Sequence, residues 1–147
     1  MADLTDYARL VTRDHGLGVV STLRADQSIQ ASVVNTGVLD HPVTGWSVIG
    51  FTTRGGTRKL VNLRARPRLA VTVRAGWEWV TAEGPAQLIG PDDPAQGVDA
   101  EGLRLLLRAV FASAGGTHED WASYDRVMAE ERRAAVLITP LRVYSSG

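Results

Sequence analysis

Apolar and polar positions follow two different periods along this chain of 147 residues. Leu4, Ala8 and Val11 recur at helical spacing, and Gly16 stands where a cap would, so residues 3–14 are expected to form a short amphipathic helix. Residues 18–23, 29–39, 47–52, 69–74 and 77–89 are runs rich in small and β-branched residues, each bounded by turn-forming stretches. They are expected to be strands. The fifth is long, and Gly84-Pro85 within it predicts a bulge or bend. Residues 58–65 fit one or two helical turns, stopped by Pro67. Further on, Leu103, Leu106, Leu107, Val110, Phe111 and Ala114 form the apolar stripe of a helix over residues 101–114, ended by Gly115-Gly116. Residues 121–131 continue as a second helix, and 134–144 as a last apolar strand.

Strands joined by short turns pair antiparallel, unlike those of a crossover sheet. Six short strands with appended helices fit a small antiparallel β-barrel, mainly β in an α+β arrangement. The length suits a single domain over residues 1–147. A chain of this size buries a core without staples.

Composition changes the picture in three ways. Cysteine is absent, which removes disulfides, thiolate metal sites and thiol nucleophiles. Asp3 and Asp6 stand where a leader would need basic and apolar residues, and no run approaches a membrane span. A cytoplasmic protein with no membrane partner is expected. The formal net charge is +0, which argues against a dedicated nucleic-acid binder. Yet residues 54–77 hold seven Lys and Arg and no acid, and Asp92, Asp93, Asp99 and Glu101 follow. Such a field suits an anionic ligand, although a solvated barrel face accounts for the run equally well. Lys59 is the single lysine among sixteen Lys and Arg. A compact ammonium at one position in an arginine-rich chain hints at a specific contact.

Several common chemistries are missing. His15, His41 and His118 have no metal-ligand spacing. No nucleophile elbow, P-loop or dinucleotide fingerprint is present. The acid pairs Asp92/Asp93 and Glu130/Glu131 fit solvated positions better than acid–base dyads. The informative unit runs from Phe51 to Val73: a strand, Gly55-Gly56, a basic helix start, Asn62-Leu63-Arg64, then Pro67-Arg68 into another strand. A helix beginning after glycines offers free N–H groups to an anion. Lys59, Arg58 and Arg54 then form a candidate phosphate site, with Thr52, Thr53 and Thr57 as hydroxyl donors.

This unit resembles the split-barrel flavin and deazaflavin proteins related to pyridoxamine 5′-phosphate oxidase, and within them the actinobacterial coenzyme F-420-dependent reductases. Gly18-Val-Val-Ser-Thr-Leu23, Gln30-Ala-Ser-Val-Val-Asn35, Gly76-Trp77 with Ala82-Glu-Gly-Pro-Ala86, His118 to Tyr124, and Arg132-Arg133 through Val143-Tyr144 all agree. The resemblance covers nearly the whole chain. It implies a split antiparallel β-barrel, FMN-binding-like and dimeric, with the cofactor at the subunit interface. It places Lys59 on the cofactor phosphate, with Asn62 supporting the same loop. It implies ring contacts along Ser32, Val33, Val34 and Asn35, then Gly50, Phe51 and Thr52. Relatives carry an arginine where this chain has Thr57, so Arg58 or Arg54 is expected to substitute. Trp77 and Trp79, two apart, share a sheet face. By resemblance that face flanks the pocket; a dimer-interface role fits equally well. Trp46, Trp121 and Tyr144 are expected to pack.

The implied activity is hydride transfer from reduced coenzyme F-420 to an electron-poor double bond of a small molecule. An FMN-dependent oxidoreductase of the same fold and a non-enzymatic carrier of coenzyme F-420 are the alternatives. Pyridoxamine phosphate oxidation itself is not expected, because the chain has no basic ending. No catalytic side chain stands out, and no metal is implied.

Overall fold

The computed structural model describes residues 2–146. A short helix α1 (Leu4–Val11) opens the chain. Asp3 caps it by accepting from the Asp6 N–H, and Asp6 reciprocates, the paired arrangement that ties a helix start. A single 3₁₀ turn follows, and Gly16, at φ 73°, returns its N–H to the Val11 carbonyl at 3.0 Å.

Eight strands make one antiparallel sheet among the described residues. They are β1 (Leu17–Leu23), β2 (Ile29–Asn35), β3 (Gly37–Asp40), β4 (Ser47–Thr53), β5 (Arg68–Ala75), β6 (Glu78–Ile89), β7 (Ala134–Ile138) and β8 (Arg142–Ser145). Helix α2 (Arg58–Ala65) joins β4 to β5, and α3 (Ala100–Ser113) and α4 (Trp121–Glu130) separate β6 from β7. The strand order is β2-β1-β5-β6-β7-β4-β3, with β8 also on β6.

Two expected strands are each divided. The run 29–39 breaks at Thr36, which sends β2 to one end of the sheet and β3 to the other. One linking residue cannot span a flat sheet, so the sheet curls until its ends meet. Thr36 is fully buried at that corner. Its N–H donates to the Gly16 carbonyl at 2.7 Å, and its hydroxyl lies 2.9 Å from the buried Tyr7 hydroxyl. Burial pushes the Tyr7 phenol well above its usual range, which the Thr36 hydroxyl only partly offsets. The run 134–144 breaks at Thr139-Pro140. Gly84-Pro85 lies opposite that break and β6 passes through it without interruption. A Cβ on Gly84 would overlap the Thr139 carbonyl oxygen, which is why this position holds glycine.

Two cores result. The inner one gathers Val20, Val34, Phe51, Val71 and Val136 with Leu60 and Leu63 of α2 and Tyr7 of α1. Its members come from both ends of the strand order, which makes the sheet a barrel. The outer one packs Leu106, Leu107 and Val110 of α3 and Tyr124 of α4 on Val48, Ala135 and Leu137. Strand β7 is covered on both faces, so all five of its residues are buried and its sequence reads as an unbroken apolar run.

Replacing Tyr7 by Phe strands the Thr36 hydroxyl in the core and is expected to cost about 1–3 kcal/mol in urea unfolding. Adding Thr36→Val removes the stranded group, so the double variant should recover most of that loss.

Candidate functional site

The corner at Thr36 brings β2 beside the end of β4 that runs past its pairing with β3, and α3 and α4 lie across the seam. A cavity of about 520 Å³ opens there. One wall carries the polar groups, Asn35 of β2, Thr52 and Thr53 of β4, then Arg54, Thr57 and Lys59, with Val33 and Val34 of β2 beside them. The opposite wall is mostly apolar, with Val110, Phe111 and Ala114 of α3 and Tyr124 and Met128 of α4, closed by Arg133.

Lys59 is the electrostatic focus. It is half-buried, and its ammonium donates to the Ser32 hydroxyl at 3.0 Å. It makes no ion pair among the described residues. Desolvation lowers its pKa below the ordinary 10.5, and the Arg133 charge lowers it further. Thr57 is the N-cap of α2, but its hydroxyl pairs with that of Thr53 at 3.0 Å instead of capping the helix. The first-turn N–H groups of α2 therefore lack a side-chain acceptor. A second and third cation stand nearby. Arg54 and Arg133 both donate to Glu131, at 2.9 and 2.8 Å, so one carboxylate serves two guanidiniums. Cations exceed carboxylates along this wall, so the cavity sets a local positive field opposite an apolar surface, surroundings that suit an anion joined to a flat or apolar body.

Of the residues expected from the sequence, Val33, Val34, Asn35, Thr52, Thr57, Lys59 and Arg54 are brought together, and Ser32 is bound to Lys59. Gly50 and Phe51 lie just beneath, inside the fold: Phe51 is fully buried in the inner core, and Gly50 packs against Leu39, Leu137 and Val110. Asn62 is buried too, and its amide donates to the Thr22 hydroxyl at 3.0 Å, tying α2 to β1. Arg58 points along α2 into a neighbouring hollow of about 430 Å³ shared with Arg24 and Arg66.

The tryptophans depart from expectation. Gly76 and Trp77 form the two-residue turn of the β5–β6 hairpin, closed by the Ala75–Glu78 pair. Alternation therefore does not reach Trp77, which is 97% exposed and does not share a strand face with Trp79. Trp79 packs edge-on against Tyr144 at 6.2 Å. Neither lines the cavity within this chain. Trp46 is exposed on the β3–β4 loop and not packed. Tyr144 is partly exposed and donates to Glu83 at 2.9 Å, so it is not core. Trp121 does pack, in the outer core under Arg108.

Sequence reasoning missed Arg133, Glu131 and the whole apolar wall. The α3 stripe reads as core in the sequence, and it is core along Leu106 and Leu107; only its Val110, Phe111 and Ala114 end reaches the cavity. The alternation of Glu130-Glu131 with Arg132-Arg133 was the available signal for a charged junction.

A family model described as pyridoxamine 5′-phosphate oxidase matches residues 4–146. The chain belongs to that family. As a pyridoxamine 5′-phosphate oxidase-like split barrel it is similar to several solved structures. One is a conserved hypothetical protein from Mycobacterium tuberculosis, with TM-score 0.67 and 21% identity over 99% of this chain and 84% of the other. Another is an F420 reductase, with TM-score 0.60 and 15% identity over 92% and 94%. A pyridoxamine 5′-phosphate oxidase-related, FMN binding protein from Nostoc punctiforme PCC 73102 has TM-score 0.68 and 12% identity over 99% and 84%. At these identities the likeness is one of fold.

The lowered Lys59 pKa fixes a pH dependence. An anion bound by the charged form would be held fully at neutral pH and released as pH rises through a value below 10.5. Sulfate, whose charge is constant there, should bind about tenfold more weakly per pH unit beyond that point by calorimetry. Lys59→Arg should flatten the profile.

Proposed function

We propose that this chain is a coenzyme F-420-dependent reductase that acts as a homodimer on a small electron-poor substrate. The observation that carries the reading is Lys59: a half-buried ammonium with only a hydroxyl acceptor, at the polar end of a cavity large enough for a fused-ring ligand. Such a cation favours a permanent anion with which it can share its desolvated site. Lys59 would hold the phosphate diester of the cofactor, assisted by Thr57, the free N–H groups at the start of α2, and Arg133. Arg133 thereby supplies the second positive charge that the sequence lacks at position 57. Phe111, Ala114, Val110 and Met128 would cover the ring system and keep water from it.

When bound, the deazaflavin supplies a hydride to its substrate. The chain's part is to bind, orient and exclude water. Tyr124 donates its hydroxyl to the Leu107 carbonyl at 2.9 Å, so that proton is already engaged. No carboxylic acid other than the paired Glu131 adjoins the cavity among the described residues, and solvent at the open side is the proton source this reading assigns.

The choice of coenzyme F-420 over FMN rests on what adjoins the phosphate site. Between α2 and the β1–β2 turn lies the hollow of Arg24, Arg58 and Arg66, which Asp26 borders as its one carboxylate among the described residues. Arg58 has no ion-pair partner among the described residues, whereas Arg64 is held by Asp93. Three guanidiniums suit an extended polycarboxylate tail, which FMN does not have.

The dimer reading has its own support. Val33 lines the cavity and is 63% exposed, and it continues into an open sheet face with Leu17, Val19, Leu23 and Ile29. An apolar sheet face running into the mouth of a polar cavity favours coverage by a second copy.

Titrating the purified protein with coenzyme F-420 and with FMN tests the reading. Coenzyme F-420 should bind more tightly, and Lys59→Ala should weaken it by more than about tenfold. Removing Arg24 and Arg58 together should weaken coenzyme F-420 and leave FMN unchanged. A failure of reduced, bound cofactor to be reoxidised by any of a panel of quinones, enones and tetrapyrroles would make the chain a carrier. Val33→Asp should give monomers in sedimentation, and a dimer that survives it would move the interface elsewhere.

A further inference from the structure

A second cavity, of about 560 Å³, lies among α3, α4 and the loop of residues 90–99. Its floor includes Leu103, Leu107 and Met128, and its roof Pro91, Pro94 and Val98. Met128 and Arg133 border this cavity and the cationic one alike, so the two stand back to back.

A loop over an apolar hollow would ordinarily collapse into it, because doing so removes hydrocarbon from water. This loop is held off. Arg64 donates to both carboxylate oxygens of Asp93, at 2.8 and 2.7 Å, and Arg132 grips both oxygens of Asp92. Gly90 and Asp93 exchange two backbone hydrogen bonds of 3.0 Å. At the far end Asp99 is fixed as the cap of α3, accepting from the Gly102 N–H at 2.7 Å. Two prolines stiffen the span between. The space beneath is therefore built in advance, and its size falls within the range of about 300–1,000 Å³ that small-molecule sites occupy.

The charges at its border decide what it would take. Arg104 is engaged by Glu101 and Asp125, and Asp125 also receives Arg108. Those guanidiniums, Arg108 foremost, hold the Asp125 carboxyl down at about 2. Arg132 is bound to Asp92 and Arg133 to Glu131. Each guanidinium already has its carboxylate, so an anionic ligand would have to break an existing pair, and the remaining bordering carboxylate, Asp99, is engaged as the cap of α3. Water inside would find few polar partners, and such hollows accept apolar guests readily.

We infer that this cavity is a binding site for an uncharged, largely hydrocarbon small molecule, separate from the cationic cavity. The inference does not rest on the cofactor reading. The probe that tests it is N-phenyl-1-naphthylamine, which is neutral and brightens when shielded from water. Titrated into the full chain it should show saturable, equimolar binding that salt does not weaken. Its sulfonated counterpart, 1-anilinonaphthalene-8-sulfonate, should bind about tenfold more weakly or worse, reflecting the desolvation of an unpaired charge. Ala95→Trp and Ala129→Trp each fill the space from a different wall and should lower affinity by about tenfold or more. A far-UV circular dichroism spectrum and a cooperative urea transition like those of the unaltered chain report that both variants are folded. Non-saturable binding, equal affinity for the two probes, or unchanged affinity in both folded tryptophan variants would overturn the assignment. So would a signal that disappears as the chain self-associates, because the cavity would then be an interface between copies.

Discussion

A single residue between β2 and β3 governs the architecture. These strands are neighbours in the chain and occupy opposite ends of the strand order, so the sheet must close for Thr36 to join them. The corner survives because its polar groups are satisfied. The Tyr7 and Thr36 hydroxyls pair in the core, and the Thr36 N–H reaches Gly16. Beside it, Gly37 leaves no room for a Cβ against Ser113, so α3 rests directly on the corner. Closure thus sets the seam between β2 and β4 and the position of the helices above it. The cavity is a consequence of where the barrel is joined.

Folding then redistributes charge that the chain keeps in blocks. The basic stretch after β4 and the acidic stretch after β6 are far apart in sequence, and the fold sets Arg64 against Asp93 and Arg132 against Asp92. Glu131 neutralises parts of Arg54 and Arg133 together. Of the seven cations between residues 54 and 77, Arg54 and Arg64 are neutralised in this way among the described residues. Inside the cavity what persists is Lys59 beside Ser32, with Arg133 close enough to depress its proton affinity further. A half-buried ammonium with a hydroxyl partner and no carboxylate favours an anionic neighbour, and that preference is the physical basis of the proposed function.

The two cavities share a wall, and their difference follows from the same accounting of charge. One has a cation without a carboxylate and opens toward an exposed apolar sheet face. The other has every bordering guanidinium matched and a roof anchored by two of those matches. Chemistry, more than shape, distinguishes them.

The sequence by itself determined the elements, because their signals are local. Helical spacing in α3, the glycines before α2 and the turn residues between strands act over a few positions, and apart from the two divided strands and the first helix, which gives way at Val11 to a 3₁₀ turn, the expected bounds lie within a residue or two of those observed. It also placed Thr57, Lys59 and Arg54 together, since they lie within one loop and helix start, and the structure sets all three on one cavity. Two breaks escaped it. Thr36 interrupts a run whose composition stays strand-like, and pairing with distant partners shows where that run changes neighbours; the break at Thr139-Pro140 carried a local signal, the missing N–H of Pro140, that the expected single strand passed over. The second wall of the cavity, the pairing of Glu131 with two arginines and the exposure of Trp77 were likewise decided by tertiary structure. Each depends on which surfaces meet when the barrel closes, and side-chain pattern along one strand or helix carries no record of what will be packed across from it.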